Sequence, residues 1–247
     1  MRDLGRVIAH LPARGGSQRV PAKNLRLMVG EPMLAYALRA ALASERLPEV
    51  YVNTESPEIA ALGEHLGAKV YKRSAELASD KATSDHFNMD IIEGLAPDTL
   101  VMINPVCPLL RPQEIDDALA AYESSTADTL ITVSETQMQT FCDGKPVNIR
   151  PDELLAATQD NPVVSICNWA VTIWDCAAFK ERYRRLGYAS FGRQRLLHPI
   201  DPLRAVKVSI ETDFALCERL IPALREDNRG SAGEESVPAY WSPPETP

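Results

Sequence analysis

The chain has 247 residues, 45% hydrophobic and 24% charged, with a formal net charge of −8 at pH 7. That size suits one large α/β domain with a substantial core, and the acidic balance argues against duplex nucleic acid as a partner, because that affinity rests on Lys and Arg at phosphates. No apolar run approaches the ~18 residues of a membrane span, Met1 to Gly5 form no signal-peptide core, and the five scattered cysteines make no zinc spacing, so a reduced cytoplasmic protein is expected.

In chain order, the apolar run Arg6 to Pro12 reads as a buried strand. Arg14 to Asn24 follows as a loop of turn-forming residues. Apolar residues at helical spacing predict a helix from Pro32 to Ala43. Glu49 to Asn53 reads as a strand. Ser56-Pro57 opens a helix that Gly67 ends. Ala68 to Tyr71 is strand-like, a helix starts at Thr83 or Ser84 and runs to about Gly94, and Thr99 to Asn104 is a strongly apolar strand. Pro112 to Tyr122 reads as helix, Thr129 to Val133 as strand, Asp143-Gly144 as a hairpin turn, Asn168 to Ile173 as strand, Val206 to Ser209 as a last strand and Asp213 to Leu224 as a last helix. The alternation predicts an α/β fold, a mostly parallel Rossmann-like sheet with helices on both faces. One domain is expected over 1–226, with a dimerisation or insertion segment at about 136–200 and a flexible tail over 227–247.

Ligands of such sheets bind at the carboxyl ends of the strands, which is where the Arg14–Asn24 and Pro105–Arg111 loops fall. From Leu4 to Gly30 there is no Asp or Glu, while Arg6, Arg14, Arg19, Lys23 and Arg26 all lie there. A Gly-Gly pair after a strand lets backbone amides approach phosphate oxygens, and Arg14, Arg19 and Lys23 add charge-assisted contacts. Neither the Walker nor the dinucleotide glycine spacing is present. The competing reading is a surface loop whose glycines serve a turn. His10, inside an apolar strand, reads as a core histidine, and the chemistry needs no nucleophile from Cys107.

The stretch Pro12-Ala-Arg-Gly-Gly-Ser-Gln-Arg-Val-Pro-Ala-Lys-Asn24, followed by Gly30 to Tyr36, closely resembles the opening of the CMP-sialic acid synthetases (acylneuraminate cytidylyltransferases). Val52 to Ala60, Arg73 to Ser84, Asn104 to Arg111, Asn168-Trp-Ala170 and Val206 to Leu220 extend the resemblance over about residues 6 to 220. It implies the nucleotide-diphospho-sugar transferase type of fold and transfer of CMP from CTP to a sialic-acid-like keto-sugar acid, with loss of pyrophosphate. It also implies Mg²⁺ and a homodimer. Carried over by position, it makes Arg14 and Lys23 the catalytic cations. Ala13, Gly15, Gly16, Ser17, Arg19, Asn24, Asp80 and Ser84 would contact the nucleotide, and Asn104, Arg111 and Asn168 the acceptor. Glu55 or Asp80 could act as general base.

Three positions depart from the family pattern. Gln18 and Asn104 stand where the family has Lys and Gln. Lys207 and Ser209 fall where it has a metal-binding Asp-x-Asp pair, and lysine does not ligate a hard cation such as Mg²⁺. Lys207 could replace part of that charge. Glu211 and Asp213 are then the candidate metal ligands, or simply cap the last helix. The basic stretch Arg182 to Arg195 reads as a solvated dimer arm, or as groups meeting the acceptor carboxylate. An octulosonic acid or a phosphonate is an alternative acceptor, and a non-catalytic nucleotide-binding homologue is the alternative function.

Overall fold

The structure is a computed structural model that describes residues 2–16 and 20–230, with side chains described as far as residue 224. Ser17 and Arg19, expected at the nucleotide, and residues 231–247 of the expected tail lie outside the described residues.

The central sheet has seven strands: β1 (Val7–Pro12), β4 (Val50–Thr54), β5 (Lys69–Lys72), β6 (Thr99–Ile103), β7 (Thr129–Thr136), β10 (Val164–Asp175) and β11 (Arg195–Pro199). Two small hairpins lie outside it, β2 (Leu27–Met28) with β3 (Glu31–Pro32), and β8 (Phe141–Cys142) with β9 (Lys145–Pro146). The spatial order is β11-β7-β10-β6-β1-β4-β5. β1, β4, β5 and β6 run parallel, and β11 is parallel to β7. β10 runs antiparallel to both of its neighbours, β6 and β7.

β1 lies between two parallel neighbours and is covered on both faces, which is why its sequence is apolar apart from the buried His10. Its side chains alternate between two cores. Val7, Ala9 and Leu11 face one that also holds residues of α1 (Met33–Leu42), α2 (Pro57–Leu66) and α4 (Pro112–Glu123). Ile8 faces the other, with α3 (Ser84–Leu95) and α5 (Cys176–Leu186). A third core packs α6 (Glu211–Gly230) through Phe214, Cys217 and Ile221 onto Val106, Leu109 and the β2 hairpin. The helix boundaries have local causes. Ser56 Oγ accepts from Ile59 N at 3.3 Å, Pro57 takes the first helical position, and Gly67 ends α2 at φ 96°. Asp175 caps α5 by accepting from Ala178 N at 2.9 Å.

One expected strand is corrected, and two expected segments are assigned to elements of the fold. Val206 to Ser209 forms no strand; Val208 N donates to Val106 O at 2.9 Å, which ties a loop across the strand ends. The basic stretch Arg182 to Arg195 is not a free arm. Its first part completes α5, and its end opens β11, the edge strand beside β7. Of the segment 136–200, residues 164 to 175 and 195 to 199 belong to the central sheet, and only about 137–163 stands off it. The hairpin at Asp143-Gly144 is present, with φ of 48° and 73°.

One irregularity positions the site. Cys167 pairs with Val133 and Thr172 with Ile131, so β10 carries extra residues against β7 in a bulge. Asn168 holds the bulge. Its Oδ1 accepts from Thr132 Oγ1 at 2.7 Å and from Ala170 N at 3.1 Å, and its Nδ2 donates to Ser134 Oγ at 3.1 Å. Trp169, next in line, has φ 59°, a left-handed conformation that is an outlier for a bulky residue. Because β10 is reversed, this early part of the strand lies at the carboxyl ends of the parallel strands. Asn104 N, just past β6, donates to Ala170 O at 2.9 Å.

Candidate active site

Two cavities open side by side at those strand ends. The first, about 440 Å³, is lined by Arg14, Gly16, Lys23, Asn24, Arg73, Asp80 and the Leu77–Ala82 segment, among others. The second, about 600 Å³, is walled by Trp169, Trp174, Tyr188, Phe191 and Met102, with Ser84, Asp85, Ser190 and Lys207. Pro12, Phe87, Asn104 and Pro105 line both.

The first cavity is cationic and braced. Arg14 Nη1 donates to Asp80 Oδ1 at 2.6 Å and to Ala78 O at 3.2 Å, which joins the loop after β1 to the segment after β5. Asn24 Nδ2 donates to Arg14 O at 2.9 Å and Lys23 Nζ to Val208 O at 3.0 Å. Glu55 organises the rim from behind. Its Oε1 accepts from Gly15 N at 2.7 Å and its Oε2 from Arg73 at 3.3 Å. The Arg73 side chain is 3% exposed and lies over the Phe87 ring at 5.5 Å. Burial lowers its pKa, Glu55 opposes that, and the charge of Arg14 adds to the lowering. Bringing cations together at partial desolvation suits a site awaiting an anion of high charge.

Below them His10 is fully buried, with Nδ1 3.3 Å from Asn53 Nδ2. Burial first, then the nearby Arg73 charge, pushes its pKa down to about 3, so the ring is neutral. It is a core histidine. Cys107 is buried too, its thiol pushed up to about 12 chiefly by desolvation, which is the reverse of what a nucleophile needs.

The second cavity is fixed by the first turn of α3. Asp85 Oδ1 accepts from the amides of Ala189 (2.6 Å) and Ser190 (2.8 Å), Ser84 Oγ lies 3.2 Å from Ser190 Oγ, and Trp174 Nε1 donates to Ser190 O at 2.9 Å. The loop carrying Tyr188 and Phe191 is therefore pinned. Gly192 closes it at φ 59°, where a Cβ would fall 2.1 Å from Thr129 Oγ1 and 2.2 Å from Asp128 Oδ1. Asp128 in turn accepts from the amides of Arg193 and Gln194.

Of the residues expected from sequence, the structure brings Arg14, Gly16, Lys23, Asn24 and Asp80 to the first cavity, Ser84 to the second and Asn104 to both. Ala13 and Gly15 shape the loop through Ala13 N to Asn53 O and Gly15 N to Glu55. Asn168 and Arg111 do not line either cavity. Asn168 is bonded to β7, and Arg111 is paired with Glu114 at the start of α4. Trp169, Tyr188 and Phe191 line the site without having been assigned to it from sequence, whereas Arg73 opens a stretch that carries the resemblance and Lys207 falls at the expected metal-binding position. Trp169 and Phe191 meet at 5.1 Å between ring centroids only because β10 is reversed and its bulge turns the indole outward, which no local pattern announces.

Glu211 and Asp213, the expected metal ligands, do not fit that role. Both Glu211 oxygens accept from Arg26 Nη1, at 2.8 and 2.7 Å, and Asp213 Oδ2 accepts from the amides of Ser209 (2.7 Å) and Ile210 (3.0 Å) as a helix cap. Neither lines a cavity. Among the described residues no cluster of three His, Cys, Asp or Glu side chains is arranged to hold a metal.

A mostly parallel sheet with a cationic cavity at its strand ends, opening into a second cavity, defines a Rossmann-like nucleotidyltransferase. Residues 8–183 match the family described as cytidylyltransferase, and the chain belongs to that family. It is 27% identical over 234 residues to a CMP-N,N'-diacetyllegionaminic acid synthase of Legionella pneumophila, covering 90% of this chain and 98% of that protein. It is 29% identical over 163 residues to N-acylneuraminate cytidylyltransferase A of Danio rerio, where the match covers 61% of this chain but 37% of the relative. Among solved structures, a CMP:2-keto-3-deoxy-manno-octonic acid synthetase complexed with CTP superposes with a TM-score of 0.63 at 14% identity, covering 90% of this chain and 99% of the other. A 4-diphosphocytidyl-2C-methyl-D-erythritol synthase from Anaerococcus prevotii superposes with a TM-score of 0.61 at 10% identity, over 89% and 97%. These two likenesses speak to the fold.

Proposed function

We propose that the protein transfers CMP from CTP to the anomeric hydroxyl of an anionic keto-sugar acid and releases pyrophosphate. The observation that carries this reading is the junction of the two cavities at Asn104, with cations on one side and a larger aromatic chamber on the other. CTP occupies the first cavity. Its triphosphate lies against Gly16, Arg14 and Lys23, and Arg73 reinforces the field from behind. The acceptor occupies the second, its carboxylate toward Lys207, the cation among the described residues lining that chamber.

At the junction the acceptor hydroxyl attacks the α-phosphorus in line and the bond to the β-phosphate oxygen breaks. The work of such a site is to position the reactants and stabilise the charge developing on the leaving pyrophosphate. The loop cations supply that stabilisation here. Glu55 faces the loop from behind, bonded to Gly15 and Arg73, and Asp80 is paired with Arg14.

Pyrophosphate release from CTP with a panel of keto-sugar acids tests the reaction. CTP binding without release on any acid would return the non-catalytic reading. We read the standing-off segment 137–163 as the expected contact between two copies in a homodimer. It exposes Met138, Phe141, Leu154 and Leu155, Leu154 at 97%. Light scattering tests the dimer: a monomer at micromolar concentration would end that part of the reading.

A further inference from the structure

The second cavity has a wall that the transfer reaction by itself does not require. Trp169 stands in a left-handed conformation, φ 59°, where glycine is the residue of least strain. The strain is imposed, because Asn168 is bonded on three sides and Ala170 O takes the amide of Asn104. What the strained position achieves is to turn the indole into the cavity and against the edge of Phe191, with ring planes 75° apart. Tyr188 and Phe191, 55% and 50% exposed, complete the wall on a loop pinned by Asp85 and Gly192. Aromatic rings left open on a fixed loop at a cavity mouth are contact surface awaiting a partner.

We infer that Trp169 is a specificity-determining residue, and that with Phe191 it selects an acid whose body presents a deoxygenated, C–H-rich face in place of a bare polyol. This rests on the acceptor reading of the second cavity. The physical reason is desolvation. A methyl or ring C–H face gains by leaving water for an aromatic wall. A hydroxylated chain set against the same rings loses hydrogen bonds to water, and indole and phenyl faces do not restore them. Lys207 at the polar end gives every acid the same anchor, so discrimination falls to the wall.

The test uses a nonulosonate ending in a C9 methyl group, its C9-hydroxyl counterpart and a 3-deoxy-octulosonate. Each is titrated calorimetrically into the CTP-loaded protein and assayed for pyrophosphate release. The methyl-ended acid is expected to bind about tenfold or more tightly than the two polyols. Trp169→Gly is compatible with the backbone φ, and Phe191→Ala removes a half-exposed ring. Each is expected to shrink the gap to within about threefold and to leave the affinity for CTP unmoved. Equal affinities in the parent protein, or a gap that both variants leave intact, overturn the inference even where pyrophosphate is released. A gap that closes in the variants supports the wall, and if no acid then releases pyrophosphate it is the transfer reaction that falls.

Discussion

The two cavities share Pro12, Phe87, Asn104 and Pro105, yet they are assembled by opposite means. The first comes from consecutive crossovers of parallel strands. The loops after β1, β4 and β5 meet, and Arg14–Asp80 and Glu55–Arg73 lock them together. The second comes from the reversed strand β10, a bulge and a pinned loop, and it presents aromatic rings where the first presents cations. On the proposed function, the first cavity meets charge that every nucleoside triphosphate carries, and the second meets a body that differs from one acid to another. Common chemistry is held by charge and backbone, and particular chemistry by shape and desolvation.

The contrast can be broken most sharply at Lys23. Replacing it with alanine should lower kcat/KM for CTP by about 10²–10³-fold, the usual loss when a group facing developing charge is removed, with the fold intact by circular dichroism. Activity surviving within a few-fold would show that the first cavity is not the triphosphate site. Lys207→Ala probes the other side. Loss of one charge-assisted contact, about 1.5–3 kcal/mol, should raise the acceptor KM roughly 10–100-fold and leave KM for CTP nearly unchanged. If the CTP term moves instead, Lys207 belongs to the phosphates and the division between the cavities is drawn in the wrong place.

The smallest effect concerns the floor beneath both. His10 is held neutral, its pKa pushed from 6.5 down to about 3 by burial and by Arg73. As the pH falls below 6.5 the unfolded chain takes up a proton there and the folded one does not until about pH 3. Its contribution is therefore flat above pH 6.5, and stability is lost as the pH falls from 6.5 toward 3. In His10→Gln that part of the slope should vanish, read as a smaller drop in Tm between pH 6.5 and 4.5. Parallel Tm curves for the two proteins would mean that the ring titrates much as it would in water.

Much of the fold was legible because parallel strands covered on both faces must be apolar throughout. Val7 to Leu11 and Thr99 to Ile103 announce themselves, and Ser56-Pro57 with Gly67 brackets a helix by local chemistry alone. The Arg14–Asn24 loop stood out because its glycines and cations are contiguous, and Arg14, Gly16, Lys23 and Asn24 do line the first cavity. β11 was not, since its edge position leaves alternate residues exposed, and Arg195 with its basic neighbours read as a solvated arm. Val206 to Ser209 misled in the other direction. Val208 is buried against Phe214 and Cys217 rather than by strand pairing. The second cavity escaped because Trp169, Tyr188 and Phe191 are distant from its other walls in sequence, and what gathers them is the reversal of β10. Asn168, expected at the acceptor, instead holds the bulge and lines neither cavity.

That reversal also separates two kinds of change. The cationic cavity depends on the spacing of loops that end parallel strands, where an inserted residue would disturb a neighbouring crossover. The bulge of β10 interrupts a ladder that resumes on both sides of it, so its length and its outward residue can vary while the strands beside it stay in register. On the proposed function, a lineage exchanges one acceptor for another through a few substitutions around position 169 and keeps the cationic cavity untouched.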